Sequence, residues 1–408
     1  MFDKLSILKT GVLLTKRGFL IIVFIYFIFS TLYLLLSVYL TRYVSPSADD
    51  LPVIQATVHF VTALALLLIS FFIHRFNKLR LIYVSSIATA VAVVLFSFSS
   101  NEVFRLTIIV TTAIIFSIGL LALFTYFWDL TVPEERGRVA GFAGFITLPF
   151  FFTVRVVAEG LDFSATVMLS ILLSLGTLLI VLLRSHKAVL TAKKDERGYY
   201  FERRTVFLYL IPWILFSLIN ATLAKNISVG VFQQVSSSFY LILLGLQVIG
   251  VILGAAVGGI TADFFGRRIT LAFSLTLYGT SAALAGLFQS NDIFPLVYIA
   301  NGISWGILLI LYNFVVWGDL ANKGNCAKMY SIGLSTYYLA IGFGLLPTQT
   351  SQISLVLSAL SSCLLIFLSN VPIILAPELL PSDFREKIKL RLHINAIKKI
   401  SEQSQNQG

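Results

Sequence analysis

Charged side chains are sparse in this sequence, and those at the ends of long apolar stretches, or inside them, could do chemistry. Charged residues make up only 12% of the chain. One group is Asp263, Arg267 and Arg268, which follow a long apolar run in the segment DFFGRR. Another is the pair Arg155 and Glu159, which lie four residues apart and therefore share one face of a helix. Such residues support electrostatic chemistry: ion pairing, binding of an anion, or carriage of a proton.

The composition excludes an ordinary soluble protein. Hydrophobic residues make up 58% of the 408 residues and the mean hydropathy is +0.92, which is more apolar surface than one core can bury. We therefore expect an all-α polytopic membrane protein. Cys326 and Cys363 show neither disulfide nor metal-ligand spacing, and the four histidines are scattered. We expect no metal site, no cofactor and no enzymatic activity.

Twelve segments are long and apolar enough to cross a bilayer, which requires about 20 residues each. The predicted spans are 18–40, 52–73, 80–99, 104–128, 139–160, 164–183, 205–224, 235–261, 269–288, 293–317, 329–349 and 353–375. A polar linker follows the sixth. The predicted organisation is an N-terminal six-helix bundle (1–184), a linker (185–204), a C-terminal six-helix bundle (205–376) and a tail (377–408).

The positions of the basic residues predict the orientation. Most lysines and arginines fall in loops on one side of the twelve predicted spans, and such loops are normally cytoplasmic. We therefore expect both termini to be cytoplasmic and the protein to lie in the cell membrane. The net charge of +11 then reflects topology, so we expect no nucleic-acid partner.

The two predicted bundles repeat each other after roughly 190 residues, as in transporters built from parallel repeats. Trp128 and Asp129 close the fourth span, and Trp317 and Asp319 close the tenth. Arg155 and Glu159 have no counterpart in the repeat. One interpretation is that Arg155 binds an anionic substrate group, with Glu159 as counter-ion or proton carrier. The other is an ion pair at the outer rim, or an arginine extending towards the headgroups.

Two turns resemble those of the major facilitator superfamily. The first reads G-x-x-x-D-x-x-G-R-R, from Gly259 to Arg268, and follows glycines spaced for close helix packing. It resembles the family's signature loop, which lies on the cytoplasmic side between helices 2 and 3 and often again between helices 8 and 9. The second runs from Asp129 through Pro133 to Arg136 and resembles the family's turn between helices 4 and 5.

The resemblance implies that two six-helix bundles rock about a central site and that the loop aspartate holds the cytoplasmic side closed. Asp263 would then bind the N-terminus of the fifth helix or Arg136. The first half lacks this acid and has His74 and Asn77 instead, so we expect one charged latch rather than two. Static loop packing is the alternative. The candidate gate residues are Gly259, Asp263, Gly266, Arg267, Arg268, Asp129, Pro133, Arg136, Gly137 and Asp319.

Polar residues inside the predicted spans are candidates for substrate or ion coupling. Helices that line the family's cavity carry several of them, although ordinary hydrogen bonds between helices would also explain such residues. Together with the pair on the fifth span, the candidates are Arg155, Glu159, Asn220, Gln247, Asn301, Asn313 and Tyr337.

The resemblance implies a secondary active transporter that moves a small solute by a rocker-switch form of alternating access. Its partners would be a small-molecule substrate, with or without a coupling proton or ion, and the lipid bilayer; we expect a monomer. The alternatives are a non-transporting sensor or assembly subunit of the same fold, and an intramembrane lipid-modifying enzyme.

Overall fold

The computed structural model describes residues 14, 18–28, 51–98, 101–160, 202–322, 324–346, 354–381 and 386, with backbone alone for residues 97 and 154–160. Secondary structure within these ranges is helical, without strands. Eight of the described helical segments are long and apolar enough to cross a membrane.

We number the helices in chain order. They are α1 (Gly18–Ile28), α2 (Leu51–Ile69), α3 (Lys78–Ser97), α4 (Glu102–Leu130), α5 (Pro133–Gly160), α6 (Arg203–Ala221), α7 (Leu223–Phe232), α8 (Ser237–Phe264), α9 (Arg267–Leu287), α10 (Phe294–Leu320), α11 (Cys326–Leu345) and α12 (Leu355–Leu375). A 3₁₀ turn, Ile73–Arg75, precedes α3, and α10 contains a π-helical segment, Leu311–Val316.

The helices follow the predicted spans with one clear difference. The seventh predicted span, 205–224, ends before Lys225, whereas the structure continues through α7 to Phe232. The lysine side chain is exposed on the helix surface, so one charge does not end the helix. The sixth predicted span, residues 29–40 of the first, residues 185–201 of the linker and most of the predicted tail lie outside the described residues.

Short polar side chains begin several helices where the apolar segments start. Asn77 accepts hydrogen bonds from two amides of the first turn of α3, and Asn101 accepts one in α4. Ser236 and Ser354 do the same for α8 and α12. Each side-chain oxygen satisfies an amide that has no partner within its helix.

Glycines bring α8 and α10 into backbone contact inside the C-terminal half. A Cβ at Gly250 or Gly254 would overlap the backbone of α10, and a Cβ at Gly302 or Gly306 would overlap the backbone of α8. In a membrane, where burial from water cannot drive helix association, such close packing is the main attraction between helices.

Among the described residues, two helix pairs make the most extensive contacts between the N-terminal half (α1–α5) and the C-terminal half (α6–α12). The first is α5 with α8, where Gly141 and Gly259 meet. The second is α2 with α11, where the hydroxyl of Ser335 donates to the carbonyl of Ala63 at 2.9 Å. Any relative movement of the halves must change these two interfaces.

The glycine contacts predict a position-dependent effect of one added methyl group on α8. Gly254→Ala should lower the free energy of unfolding by about 1–3 kcal/mol, because the methyl group overlaps the carbonyl of Ile303. Gly245→Ala is the matched control, since a Cβ there meets nothing within 4 Å. Thermal unfolding in detergent measures both. Equal melting temperatures would contradict the close approach of α8 and α10.

Candidate functional site: a buried charge cluster between the halves

Asp263, near the end of α8, is buried and faces the N-terminal half. One carboxylate oxygen accepts a hydrogen bond from the amide of Gly137 at 3.0 Å. The other accepts from the amide of Arg138 at 2.7 Å and from its Nε at 3.1 Å. Both amides lie in the second turn of α5, close to the N-terminal end of the helix. An acid of one half is thus bound by a helix end of the other.

Glycine is required at positions 137 and 259 for α8 to approach α5 this closely. A Cβ at Gly137 would overlap the carboxylate of Asp263, and one at Gly259 would overlap the backbone of Gly137. Pro133 begins α5 at this point, where the missing N–H of proline removes no helical hydrogen bond. The predicted gate residues of the loop and of the turn therefore meet in space.

Arg267, the first residue of α9, links the two acids of the C-terminal half. Its Nη1 donates to Asp263 at 2.7 Å and its Nε donates to Asp319 at 2.9 Å. Its Nη2 donates to the carbonyl of Pro133, so the same side chain also crosses to the N-terminal half. The guanidinium is completely buried, and its planar arrangement of donors suits several acceptors at once.

A second ion pair crosses between the halves beside the first. Arg136 of α5 donates through Nη1 to Asp319 of α10 and through Nε to the hydroxyl of Thr131 at 3.3 Å. We call the five buried side chains together the charge cluster: Arg136, Arg138, Asp263, Arg267 and Asp319. Opening the two halves here would break both cross-pairs and expose charges that are now paired.

Glu135 adds an acid to the edge of the charge cluster and is itself buried. It accepts hydrogen bonds from the amides of Val132 at 3.4 Å and Leu14 at 3.1 Å. Among the described residues, the buried charged side chains are these three arginines and three carboxylates, whose formal charges cancel. A neutral set of buried charges avoids the penalty of an unpaired ion.

The chain after α12 returns to support the charge cluster. Glu378 accepts hydrogen bonds from the amides of Arg267 at 2.8 Å and Arg268 at 3.1 Å, at the start of α9. Gly266, with φ of 109°, turns the chain so that these amides face the carboxylate. A Cβ at Gly266 would overlap that carboxylate. Glu378 thus holds the backbone of the residue that joins the two aspartates.

Other contacts hold this returning segment in place. The guanidinium of Arg268 donates to the carbonyl of Ala376 at 3.3 Å, and the hydroxyl of Tyr209 donates to the carbonyl of Pro377 at 2.8 Å. Leu379 and Leu380 are buried. The first residues of the predicted tail therefore pack against the C-terminal half.

Asp129 lies outside the charge cluster, although its sequence context resembles that of Asp319. It pairs with Lys78 within the N-terminal half, at 2.6 Å, and both side chains are partly exposed. The neighbouring Trp128 instead crosses to the other half and donates to the carbonyl of Gly318 at 2.8 Å. The turn after α4 and the turn after α10 therefore make different contacts, although their sequences resemble each other.

Four candidate polar residues in the C-terminal half contact neighbouring helices or lie at the π-helical segment. The amide of Gln247 donates to Asn301 at 2.9 Å, and the hydroxyl of Tyr278 donates to Asn220 at 3.4 Å. Asn313 lies in the π-helical segment, and its buried side-chain oxygen has no hydrogen-bond partner among the described residues.

Tyr337 stacks on Trp213, with ring centroids 5.7 Å apart. Arg155 and Glu159 lie on α5, but their side chains are outside the described residues. The structure therefore does not bring the substrate and coupling candidates together in one described site. The sequence reasoning missed Arg138 and Glu378, which bind the charge cluster directly.

The role of Glu378 predicts a measurable effect of its charge. Glu378→Gln should destabilise the protein by about 1–2 kcal/mol, because an anion at a helix N-terminus is lost in a partly buried setting. Glu202→Gln is the matched control, since Glu202 precedes α6 without a side-chain hydrogen bond to it. Thermal unfolding of both variants tests this; a loss no larger than that of the control would contradict the role assigned to Glu378.

Comparisons with known proteins concern the fold. No sequence-family model matches the chain, and no curated protein sequence matches it. Solved structures do match. One is FucP, a major facilitator superfamily transporter in the outward conformation, which is the E. coli fucose:proton symporter. It has a TM-score of 0.67 at 11% identity, and the match covers 88% of this chain and 98% of that one.

Two further structures match equally well. A bacterial homologue of the iron transporter ferroportin, in an outward-facing state, has a TM-score of 0.68 at 14% identity, covering 87% of this chain and 98% of that one. The human organic anion transporter MFSD10 (TETRAN) has a TM-score of 0.67 at 12% identity, covering 88% and 99%. The predicted fold class is confirmed: this chain has the fold of the major facilitator superfamily transporters.

Proposed function

We propose that this protein transports a small solute across a membrane by alternating access, with the charge cluster as the latch that closes its cytoplasmic side. The observation that carries the proposal is the binding of Asp263, from the C-terminal half, to the amides of Gly137 and Arg138 in the N-terminal half. The fold shared with transporters supports it, since alternating access requires two halves that separate on one side at a time.

The burial of charged side chains at this interface favours a contact that opens and closes over one that is permanent. Replacing a buried ion pair with apolar side chains is often neutral or stabilising, so such pairs are not needed to hold two surfaces together. When an ion pair separates, however, water can solvate each charged group. Apolar surfaces that separate into water gain no such compensation and carry a high free-energy cost. Asp263 and Asp319 are paired in the closed state and would be hydrated in the open one.

The remaining parts of the proposal concern the surroundings of the protein. It would be a monomer in the cell membrane, with both termini in the cytoplasm. The transported solute binds between the halves, and no covalent chemistry is involved. The neighbours are a fucose:proton symporter, a homologue of an iron transporter and an organic anion transporter, so the shared fold does not select one solute.

Labelling of buried cysteines in sealed vesicles tests the latch. Ala140 is buried on α5 between Gly137 and Gly144, which both contact the C-terminal half. After replacement of Cys326 and Cys363 by serine, Asp263→Asn should make Ala140→Cys react at least roughly tenfold faster with an impermeant maleimide on the cytoplasmic side. The reason is that removing one partner of a buried ion pair costs about 3–5 kcal/mol in the closed state.

A reporter at Ser335 and a control variant complete the experiment. Ser335→Cys, where α11 contacts α2, should become less reactive from the opposite side when Asp263→Asn opens the cytoplasmic side. Asp129→Asn, which removes a partly exposed ion pair outside the charge cluster, should change neither rate. If Asp263→Asn leaves both reporters unchanged, the charge cluster is static packing and does not act as a latch.

A further inference from the structure

The turn between α2 and α3 exposes aromatic and basic side chains together. Phe71, Phe72 and Phe76 are 55%, 55% and 58% exposed. Arg75 and Arg80 are exposed beside them. We call these five residues the basic–aromatic turn. Phenylalanine rings favour the acyl region of a bilayer, whereas long basic side chains extend to its headgroups, so the basic–aromatic turn suits the boundary between the two.

The basic–aromatic turn lies where two spanning helices end. Helix α2 ends at Ile69 and α3 begins at Lys78, and both helices are long and apolar enough to cross a bilayer. Lys78 pairs with Asp129 at the end of α4, and α5, which carries part of the charge cluster, follows α4 after two residues. The basic–aromatic turn is therefore at the membrane surface on the same side of the protein as the charge cluster.

A cation of the C-terminal half reaches the same rings. The ammonium group of Lys328, in the first turn of α11, lies 5.1 Å from the centroid of the Phe71 ring. The guanidinium of Arg75 lies 5.9 Å from the centroid of the Phe72 ring. Both distances are within the range of a cation–π interaction. One cation from each half thus lies over two rings that are adjacent in the sequence.

These cations have no carboxylate partner among the described residues. Arg75, Arg80 and Lys328 form no ion pair there, and Asp129, at the end of the adjacent α4, is already paired with Lys78. Three exposed positive charges therefore lie at this surface without an anion from the described part of the chain. The charge cluster differs in this respect, since its buried charges are balanced by carboxylates.

The internal repeat shows which anion the first half lacks. The segment Phe76-Asn77-Lys78 has the place that Phe265-Gly266-Arg267 has in the C-terminal half, so His74 stands where that half has Asp263. Asp263 supplies the carboxylate that binds the opposite half where α5 meets α8. Where α2 meets α11, the corresponding side chain is an exposed histidine, and the neighbouring cations are exposed as well. An anion from outside the chain fits this position.

We propose that the basic–aromatic turn and Lys328 bind an anionic phospholipid of the surrounding leaflet, whose phosphate contacts Arg75 of one half and Lys328 of the other. Guanidinium and ammonium groups bind phosphate through charge-assisted hydrogen bonds, and basic side chains at the ends of spanning helices bind acidic headgroups. The exposed rings select a lipid over a free anion, because acyl chains cover Phe71 and Phe72 whereas inorganic phosphate has no apolar part.

A lipid in this position favours the closed state of the charge-cluster side. Lys328 and the basic–aromatic turn belong to different halves, so one phosphate contacts both only while α2 and α11 stay together on this side. By linkage, a ligand that binds the closed state more tightly shifts the protein towards that state. This consequence rests on the proposed function, whereas the binding of the lipid does not.

Lipid titrations followed by native mass spectrometry test the site. The purified protein is titrated with phosphatidylglycerol, and with phosphatidylcholine as the zwitterionic comparison. Arg75→Gln/Lys328→Gln should weaken binding of the first phosphatidylglycerol by roughly tenfold or more, since each basic side chain near an acidic headgroup contributes to binding. Arg203→Gln/Arg204→Gln is the matched control, because it removes two exposed charges at the start of α6 and should leave this affinity unchanged.

Other outcomes would identify a different occupant and overturn the inference. Equal weakening by both double variants, or equal binding of phosphatidylcholine, would show attraction without a specific site. Displacement of the lipid by inorganic phosphate, together with unchanged lipid binding in Phe71→Ser/Phe72→Ser, would identify a free anion as the ligand. Binding that requires Asp195→Asn/Glu196→Gln in the linker would show that an acidic segment of this chain occupies the basic–aromatic turn.

The reactivity of Ala140→Cys separates this inference from the proposed function. In nanodiscs, phosphatidylglycerol in place of phosphatidylcholine should slow its reaction with a neutral maleimide by roughly fivefold or more, and Arg75→Gln/Lys328→Gln should remove the difference. A reaction rate that does not depend on the lipid would overturn the bridge between the halves, while faster labelling in Asp263→Asn would leave the latch intact. If Asp263→Asn has no effect and phosphatidylglycerol still binds at the basic–aromatic turn, the latch fails and the lipid site stands.

Discussion

The cost of burying an unpaired carboxylate governs how the halves of this protein meet. Asp263 is inaccessible to water and cannot satisfy its oxygens within its own helix, so donors must come from elsewhere. Two backbone amides of α5 supply them, and α5 comes close enough because glycines occupy the contact. The α5–α8 packing, the start of α5 and the position of Arg267 all follow from this requirement.

The charge cluster and the aromatic packing of α2 against α11 join the two halves by different physical means. The charge cluster is polar and directional, and its arginines can pair only in a few arrangements. Where α2 packs against α11, Phe60 lies edge to face on Phe343 and His59 stacks on Tyr338, and such ring contacts tolerate small displacements. The proposed latch function is therefore assigned to the charge cluster and not to the aromatic packing.

Local sequence patterns predicted the helices and part of the charge cluster. They could not predict side-chain contacts between residues that are far apart in the sequence. Apolar length placed most of the spans, and the motif residues Asp263, Gly137 and Asp319 do lie together. Glu378 could not be found this way, because it follows α12 by three residues and contacts α9 more than a hundred residues earlier. The charge of Lys225 caused the seventh predicted span to end too early, because a lysine that is exposed on the helix surface need not end its helix.

The π-helical segment of α10 has a consequence for register. A π turn accommodates one residue more than a regular helix would, and one residue corresponds to about 100° of rotation around the axis. Asn301 before the segment faces Gln247 while Asp319 after it faces Arg136. If the same residues followed regular α-helical geometry through Leu311–Val316, one end of α10 would rotate by about 100°, and one of these two side chains would turn away from its partner. The π-helical geometry thus keeps the two ends of α10 in phase.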